Sequence, residues 1–440
     1  MASGRANRPK KKSKTTRVPV PKPHDPLPKP RPSLPFDVVY QVSQYLDTHR
    51  RTLRAISLTC RVWRDAVRSH LFRRITLSDT DSFERFRALV DAQPHMLRWI
   101  YEVYVSGRKE AYGIPEWLGR FSDIFPPEKI PKLRGFGFVE LQEAYGAPWD
   151  YVALAETLPK LSVYTTVTSL AVLDCMLPYD VFQAISGAFP ELTDQHVHGT
   201  RCSAPHPQRP LQNLNLPVKL STLKLHGYGP SLIQSSHCGL RRSPVSDYTE
   251  ALGSLRVLHY NVDVDEWLMN GIGKILALGT LHKLRHLGLL FPTSSRCFSQ
   301  NIDAARALRL CDLPRLRTIY MGCLVPCIDA NAYFNGAIPY LLRELQHEHL
   351  RTIVVALAFT YMGDFMDAEF SSVDSHLATG ILLDKLPALK EVRFVYHGNL
   401  SPAKYTAKIK RMFPRLKRAG VLTIASGSEQ PPPDSQERCL

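Results

Sequence analysis

The segment LPFDVVYQVSQYLDTHRRTLRAISLTCRVWRDAVRSHLF, residues 34–72, carries the spacing of a complete small helical module. Pro35 suits the first turn of a helix, where its missing amide donor costs nothing. The polar run 47–51 predicts a break before a second helix, which Thr52 can cap, and Trp63 marks a third helix. On the first helix, apolar side chains recur at the spacing of one face: Val38, Val39, Val42, Tyr45 and Leu46. Three such short helices bury little apolar surface without a partner.

The order of residue types in this segment is specific. A Leu-Pro opening is followed by valines at helical intervals, a Tyr-Leu pair, a leucine, a Cys-Arg dipeptide and a tryptophan: Leu34, Pro35, Val38, Val42, Tyr45, Leu46, Leu53, Cys60, Arg61 and Trp63. With these residues the segment resembles the F-box of fungal-type F-box proteins.

The resemblance implies a docking role for the first helix and its neighbours. An F-box places an apolar helix face on the S-phase-kinase-associated adaptor and, through that adaptor, joins a cullin-based ubiquitin ligase. The alternative is that the same residues form only an internal three-helix core or a helix-turn-helix. The resemblance assigns adaptor contact to Leu34, Pro35, Val38, Val42, Leu46, Cys60 and Trp63.

The charge of the 440-residue chain is concentrated at its N-terminal end. Of the formal net charge of +16, residues 1–32 carry +9 and residues 33–74 carry +5, which leaves only +2 for the rest. Phosphate binding requires a basic surface on the folded protein. The distribution therefore argues against nucleic-acid binding by the body of the chain.

Residues 1–32 contain eight prolines and few large apolar side chains, so we expect them to be disordered. Lys10, Lys11, Lys12 and Lys14 form a cationic patch typical of a nuclear-localisation signal, although a solvated arm or a polyanion-binding tail fits the same residues. The nine cysteines form no disulfide framework, and the chain lacks a secretory signal and a long apolar run. These features predict a soluble protein of the cytoplasm, the nucleus or both, without a membrane partner.

From Leu133 onward the pattern Leu-x-x-Φ-x-Φ, in which Φ is apolar, returns roughly every 30 residues. Helix-compatible stretches lie between the copies, at 179–189, 303–310, 333–347 and 374–386. Each unit is thus predicted to be a strand plus a helix, and neighbouring units must stack to bury their apolar sides. The copies are Leu133/Phe136/Phe138, Leu170/Leu173/Cys175, a degraded Leu192/Gln195/Val197, Leu220/Leu223/Leu225, Leu255/Leu258/Tyr260, Leu284/Leu287/Leu289, Leu316/Ile319/Met321, Leu350/Ile353/Val355, Leu389/Val392/Phe394 and Leu416/Ala419/Val421.

The pattern resembles the leucine-rich-repeat family, with one departure. The asparagine or cysteine expected three residues after the last Φ is absent, and its place is held by Tyr228, Asp263, Pro292 and Leu324. We therefore expect irregular repeats.

The predicted fold class is α/β. A strand at 74–77, a helix at 83–91 and a strand at 100–105 connect the helical module to an irregular solenoid of strand-helix units. The predicted regions are a disordered basic Pro-rich arm (1–32), the F-box-like module (33–74), a leucine-rich-repeat-like substrate-binding region (75–425) and a disordered tail (426–440).

Several residue groups resemble parts of catalytic or metal sites. The run 271–274 lacks the glycine and the Ser/Thr that a phosphate loop requires. Cys311, Cys323 and Cys327 lack the second pair of a zinc site, which favours apolar packing. No nucleophile elbow, HExxH motif or pair of catalytic carboxylates is present. We predict no catalytic residue, metal or cofactor, and hence no enzyme.

Histidines form a separate group. His196 and His198 lie on the same side of a predicted strand, and His226 and His259 follow on neighbouring strands. The pattern favours exposed strand histidines, and a metal or pH-sensitive site is the alternative.

Residues that flank the two Φ positions are expected on the inner surface of the repeat arc. They combine both charges with an aromatic ring, which suits a protein-binding surface. The leading hypothesis is therefore a non-catalytic substrate receptor of a cullin-based ligase that grips an unidentified protein substrate. The runner-up is a nuclear nucleic-acid-associated or scaffold protein that uses the basic arm. The predicted substrate contacts are Asp174, Lys224, His259, Tyr320 and Arg393.

Overall fold

The computed structural model describes residues 34–46, 49–107, 114–142, 149–203, 219–226, 253–261, 281–291, 310–323, 341–342, 345–358, 371–382, 385–397 and 401–426. The predictions for the basic arm, for most of the tail, for the run 271–274 and for most of the helices at 303–310 and 333–347 lie outside these residues.

The N-terminal module consists of the helices α1 (Phe36–Tyr45), α2 (Arg50–Ser57) and α3 (Arg61–Leu71), as the sequence predicted. Val39, Leu53 and Val67, one from each helix, are buried. The predicted cap at Thr52 is wrong, because α2 begins at Arg50 and its N-cap residue is His49, which makes no side-chain cap. Pro35 stands immediately before α1, where its carbonyl accepts the Val39 amide at 3.2 Å.

The body alternates strands and helices, which confirms the predicted pattern. Its helices are α4 (Thr80–Ala92), α5 (Leu118–Ile124), α6 (Tyr151–Leu161), α7 (Tyr179–Gly187), α8 (Ser371–Leu382), α9 (Pro402–Met412) and α10 (Pro414–Arg418), with 3-10 turns at Pro94–Trp99 and Leu310–Asp312. Its strands are β1 (Arg74–Leu77), β2 (Glu102–Ser106), β3 (Gly135–Val139), β4 (Ser169–Leu173), β5 (Met176–Pro178), β6 (Asp194–His198), β7 (Arg201–Ser203), β8 (Thr222–His226), β9 (Val257–Asn261), β10 (His286–Phe291), β11 (Thr318–Cys323), β12 (Thr352–Ala358), β13 (Glu391–His397) and β14 (Leu422–Ser426).

Twelve of these strands form one parallel sheet. The strands stand side by side in chain order, β1-β2-β3-β4-β6-β8-β9-β10-β11-β12-β13-β14, while β5 and β7 pair separately. Because side chains alternate between the two faces of a strand, each strand contributes two inward positions to the core. The first inward position on successive strands is held by Phe136, Leu170, Gln195, Leu223, Leu258, Leu287, Ile319, Ile353, Val392 and Leu422.

This register matches eight of the ten predicted copies and corrects the other two. Leu170 pairs with Phe136, so the copy on β4 is Val167/Leu170/Val172, not Leu170/Leu173/Cys175. Leu422 pairs with Val392, so the last copy is Ala419/Leu422/Ile424, not Leu416/Ala419/Val421. Both errors are shifts of three residues, because the native copies begin with Val167 and Ala419 and a leucine stands three residues away from each of them.

The sequence predicted that the repeats lack the asparagine or cysteine three residues after the last Φ, and the corrected register shows a cysteine at this position after β4. Cys175 lies three residues after Val172, is fully buried, and donates its thiol to the Phe138 carbonyl at 3.5 Å and to the Leu173 carbonyl at 3.2 Å. Burial raises the pKa of this thiol to about 12, which keeps it a donor. After the next strand, β6, Thr200 holds the equivalent place and donates to the Val172 carbonyl at 3.1 Å. In these two units, buried side chains tie adjacent strands together.

A cluster of aromatic rings fills the core where the body begins, beneath β1 to β3. Phe83 stacks on Trp117 with a ring-centroid distance of 5.1 Å, and Phe121 meets Phe136 edge to face at 6.1 Å. All four side chains are buried. Asp79 caps α4 by accepting the Ser82 amide at 2.6 Å, which holds Phe83 against the sheet.

Candidate functional site

Helix α1 presents three differently placed sets of side chains. Val39 and Ser43 are buried within the module, and the Ser43 hydroxyl donates to the Val39 carbonyl at 2.8 Å. Phe36, Tyr40 and Gln44, spaced four residues apart, line a cleft of about 650 Å³ together with His70, Trp99 and Tyr101, which lie on α3 and at the start of the body. The remaining apolar residues of α1 face solvent.

The solvent-facing set is the predicted adaptor surface. Val38 and Val42 are 41% and 40% exposed, Leu34 just before the helix is 55% exposed, and Tyr45 is 87% exposed. Their spacing places Val38, Val42 and Tyr45 on one helical face. Of the eleven large apolar side chains that are exposed in the described part of the chain, eight lie between Leu34 and Val62.

The other predicted adaptor residues lie in different environments. Pro35 is exposed next to Leu34, and Cys60 is exposed at the start of α3. Leu46 and Trp63 are half-buried. The original prediction placed all of the apolar α1 residues on one face, but Val39 points into the module.

Sequence reasoning missed two further exposed apolar residues. Leu58, which directly follows α2, is 87% exposed, and Val62 in the first turn of α3 is 37% exposed. Neither occupies a position of the motif, and only the structure shows that neither reaches the core of the module. We define the docking surface as Leu34, Val38, Val42, Tyr45, Leu58 and Val62.

The module matches a known family. Residues 32–78 match the F-box-like family. F-box domains typically bind S-phase-kinase-associated adaptors, and the match indicates a role in substrate recognition by ubiquitin ligases in general. No curated protein matches the chain.

Hydrogen bonds join the F-box-like module to the start of the body. The Arg50 guanidinium on α2 donates to the Arg74 carbonyl at the start of β1. Arg74 in turn forms an ion pair with Glu102 on β2 at 2.7 Å. The module is therefore fixed to the first two strands of the sheet.

The second candidate surface is the face of the sheet opposite the core. Paired residues near the middle of the twelve strands form one row across this face. Four of the five predicted substrate contacts lie in this row. The row runs Thr76, Tyr104, Gly137, Ala171, His196, Lys224, His259, Gly288, Tyr320, Val354, Arg393 and Thr423. Lys224, His259, Tyr320 and Arg393 thus lie on the same line, as the sequence suggested. We call this line the open-face row.

Lys224 stands between His196 and His259 in the open-face row. Burial, followed by the charge of Lys224, lowers the pKa of each imidazole to about 4. Both rings are therefore neutral near pH 7, and the lysine is the cation at the centre of the row. His196 is half-buried and only His198 is exposed, so the expectation of exposed histidines holds for one of this pair. The side chain of His226 lies outside the described residues.

His259 and Tyr320 face each other across Gly288. Their ring centroids are 6.5 Å apart and their planes differ by 13°. A Cβ added to Gly288 would lie 2.9 Å from the His259 ring, so the position requires glycine. Burial raises the pKa of Tyr320 to about 12, and the phenol stays protonated and able to donate.

Arg393, near the far end of the row, is held by Glu391. Two bonds of 2.9 Å join the guanidinium to both carboxylate oxygens, and the Thr423 hydroxyl donates to the same carboxylate at 2.7 Å. Glu391 was not singled out in the sequence, where nothing marks it as the partner of a residue on the same strand. Its bidentate contact fixes the guanidinium plane.

Asp174 does not belong to the open-face row. It follows the last residue of β4, has a left-handed backbone with φ of 52°, and packs its carboxylate against Gly199, whose φ is 60°. Its amide donates to the His198 carbonyl at 2.7 Å. The predicted place of Asp174 on the inner surface of the arc is wrong, because it rested on the shifted copy Leu170/Leu173/Cys175, and Asp174 lies in the turn after the strand.

Beyond Tyr320 the open face becomes apolar. Val354, Ala356 and Val395 form a second buried cluster with Tyr320 and Ala425 packed against it. Histidine and lysine side chains thus occupy the centre of the open face, and apolar side chains occupy its far end. Arg393 lies beside this apolar end. Such a mixture is typical of surfaces that bind proteins.

The described residues contain no group of three or more His, Cys, Asp or Glu side chains placed to hold a metal ion. Cys311 is exposed, so the apolar packing expected for it is not found, and the side chains of Cys323 and Cys327 lie outside the described part. Within the same ranges, every helix is too short or too polar to cross a membrane.

Proposed function

We propose that this chain is a non-catalytic substrate-receptor subunit of a cullin-based ubiquitin ligase. The observation that carries the proposal is the docking surface on the F-box-like module. Large apolar side chains are seldom exposed together on one helix face of a protein without a partner, as Val38, Val42 and Tyr45 are here. An exposed helix stripe with four-residue spacing fits the groove of an S-phase-kinase-associated adaptor, which would link the chain to a cullin.

The energetic argument concerns Leu34 and Pro35. Leu34 is more than half exposed, so its removal costs the folded chain little, whereas its burial in a partner contributes roughly 1.5–3 kcal/mol. Pro35 fixes the backbone just before α1 and so orients that anchor. We expect Leu34→Ala combined with Pro35→Ala to weaken adaptor binding by several kcal/mol, or to abolish it.

The test is a pull-down with the adaptor as bait, followed by a binding titration and a far-UV circular dichroism spectrum of the same sample. The proposal predicts lost binding with an unchanged spectrum. Affinity close to that of the wild type in the double variant would contradict the F-box assignment. Loss of the whole fold would mean that Leu34 belongs to a core and not to an interface.

We further propose that the chain is a fungal-type F-box protein and that its body is an irregular leucine-rich-repeat-like arc, which grips a protein substrate by its open-face row. Strand neighbours in chain order, the recurring inward apolar positions and the Cys175 and Thr200 ties support this assignment. The near-parallel rings of His259 and Tyr320 offer flat faces to an incoming side chain, and Lys224 and Arg393 add charge. Aromatic and arginine side chains are the residues that most often dominate protein interfaces.

The basic arm supports a second candidate function, association with nucleic acid in the nucleus. Its charge of +9 is the supporting observation, and the nearly neutral remainder opposes a role for the body. A variant without residues 1–32 separates the two functions. Duplex DNA binding that persists in this variant with a steep salt dependence would implicate the body and count against the receptor proposal. Location in the cytoplasm, the nucleus or both is part of the proposal.

A further inference from the structure

Basic side chains stack at one position just before five consecutive strands. Backbone hydrogen bonds of 2.7–2.8 Å join Arg256 to Arg285, Arg285 to Arg317, Arg317 to Arg351 and Arg351 to Lys390. These residues stand one place ahead of β9 to β13, so the bonds continue the sheet register. Neighbouring strands are about 4.8 Å apart, which brings like charges close together. Such a stack opposes folding unless an anion neutralises it.

Three of these arginines line a concave site. Arg285, Arg317 and Arg351 surround a cavity of about 180 Å³ together with Arg315 and His349, which lie in the turns that lead into β11 and β12. Among the residues that the structure describes, no carboxylate forms an ion pair with any of the four arginines. The cavity wall therefore offers cationic donors and no internal counter-ion within the described ranges.

Arg134 occupies the equivalent position before β3, and its contacts can be compared with those of the cavity arginines. It precedes β3 and is bonded in the same ladder, between Tyr101 and Thr168. Its guanidinium is directed to carbonyls of its own chain, those of Leu133 at 3.3 Å and Thr166 at 3.5 Å. Basic residues occupy the ladder without interruption from Arg256 to Lys390, and the cavity lies within that part.

We propose that this cavity binds a phosphate monoester or diphosphate group. Guanidinium forks match the geometry of phosphate oxygens, and several forks around one anion suit a doubly charged group. The cavity is smaller than the roughly 300–1,000 Å³ of sites for drug-sized ligands, so a compact group fits it better than a nucleic-acid duplex. The phosphate is carried either by a small molecule or by a phosphorylated side chain. The proposal does not depend on the ligase function.

The test uses the full chain and pyrophosphate as the probe, measured by isothermal titration calorimetry at low and at moderate salt. Arg315 and Arg351 are exposed, so Arg351→Gln and Arg315→Gln remove a donor without opening the core. Loss of one charge-assisted contact weakens binding about tenfold or more. The matched control is Arg134→Gln. A second control replaces Lys10, Lys11, Lys12 and Lys14 with Ala, because the basic arm attracts anions on its own.

The expected result is saturable binding that falls about tenfold in each cavity variant and is unchanged in both controls. Arg351→Lys is expected to fall between the wild type and Arg351→Gln, because it keeps the charge and loses the fork. A phosphoserine peptide that binds through the same arginines identifies a phosphorylated side chain as the source, and failure of that peptide points to a small molecule. Absence of pyrophosphate binding, or equal affinity in Arg351→Gln, Arg315→Gln and the wild type, would overturn the proposal. So would a short DNA duplex that binds through these arginines more tightly than pyrophosphate.

Discussion

The F-box-like module and the body differ in how completely they bury their apolar side chains. In the module, residues 34–71, the large apolar side chains are divided between a small core around Val39, Leu53 and Val67 and a docking surface left open to solvent. In the body, one continuous core runs from Ile75 to Leu416 beneath the sheet, and among the body residues that the structure describes only Val152, Val163 and Met176 are large, apolar and exposed. The body stabilises itself by stacking, whereas the module retains apolar surface that only a partner can cover.

The difference shows that a periodic apolar pattern in the sequence has two possible structural outcomes, burial within the chain or exposure on its surface. In the body, each strand contributes apolar residues at both inward positions, and the sheet register fixes which residues these are. In the module, the same helix carries one apolar set inward and another outward. A hydrophobic pattern therefore shows that a face will be buried, and the structure shows whether the chain itself buries it.

The largest expected effect contrasts one residue type in the two regions. Phe136 is 1% exposed at the centre of the aromatic cluster, and Phe36 on α1 is 51% exposed. Phe136→Ala should lower the free energy of unfolding by roughly 3–5 kcal/mol. Phe36→Ala should cost less than about 1 kcal/mol. Urea unfolding followed by circular dichroism measures both, and equal costs would erase the contrast between the regions.

The second prediction concerns the open-face row and is smaller. The pKa values of His196 and His259 are about 4 in the folded chain, against about 6.5 when unfolded. The unfolded chain therefore takes up protons first as pH falls, and stability that is complete above pH 6.5 declines towards pH 4. Each histidine accounts for a loss on the order of 1–3 kcal/mol.

The double variant His196→Gln with His259→Gln checks this prediction against the other groups that titrate in the same range. Its unfolding free energy should depend less steeply on pH between 6.5 and 4 than that of the wild type. Identical slopes for the two proteins would show that these imidazoles are not held neutral by the fold.

The smallest expected effect on stability belongs to the basic arm. Replacement of Lys10, Lys11, Lys12 and Lys14 with Ala should leave the melting temperature unchanged, because the cluster lies in a Pro-rich segment that cannot build a core. The same variant should accumulate less in the nucleus, as imaging of a tagged protein would show. If the variant and the wild type are distributed equally between nucleus and cytoplasm, the lysine cluster is a solvated arm and not a nuclear-localisation signal.

Much of this molecule is readable from its sequence. The module follows from Pro35 and the valine spacing, and eight repeat copies have the correct register, because each of them begins with the leucine that the pattern requires. The copies at Leu170 and Leu416 failed because the native copies begin with Val167 and Ala419, and a leucine three residues away satisfies the pattern instead. Only the strand pairing of Leu170 with Phe136 decides between the two registers.

The candidate sites were harder to predict, because the place of each side chain depends on the register of its strand or on its angle around the helix. Asp174 was placed on the open face by the shifted copy, and Val39 was grouped with Val38 although neighbouring helical residues point about 100° apart. The arginine stack has a visible signal, a basic residue directly after the repeat leucine, as in Leu284-Arg285, Leu316-Arg317 and Leu350-Arg351. Spacing alone does not show that these residues meet, since their contact depends on register across strands that are distant in sequence.

The most direct test of the account compares two pairs of exposed valines. Val38→Ala with Val42→Ala removes apolar groups from the docking surface, and Val152→Ala with Val163→Ala removes the same groups from the body. In a titration with purified adaptor, the first pair should weaken binding by roughly 3 kcal/mol, about a hundredfold in Kd, at an unchanged melting temperature. The second pair should bind like the wild type. Equal affinities for the two double variants would contradict the claim that the apolar surface of the F-box-like module is a docking site.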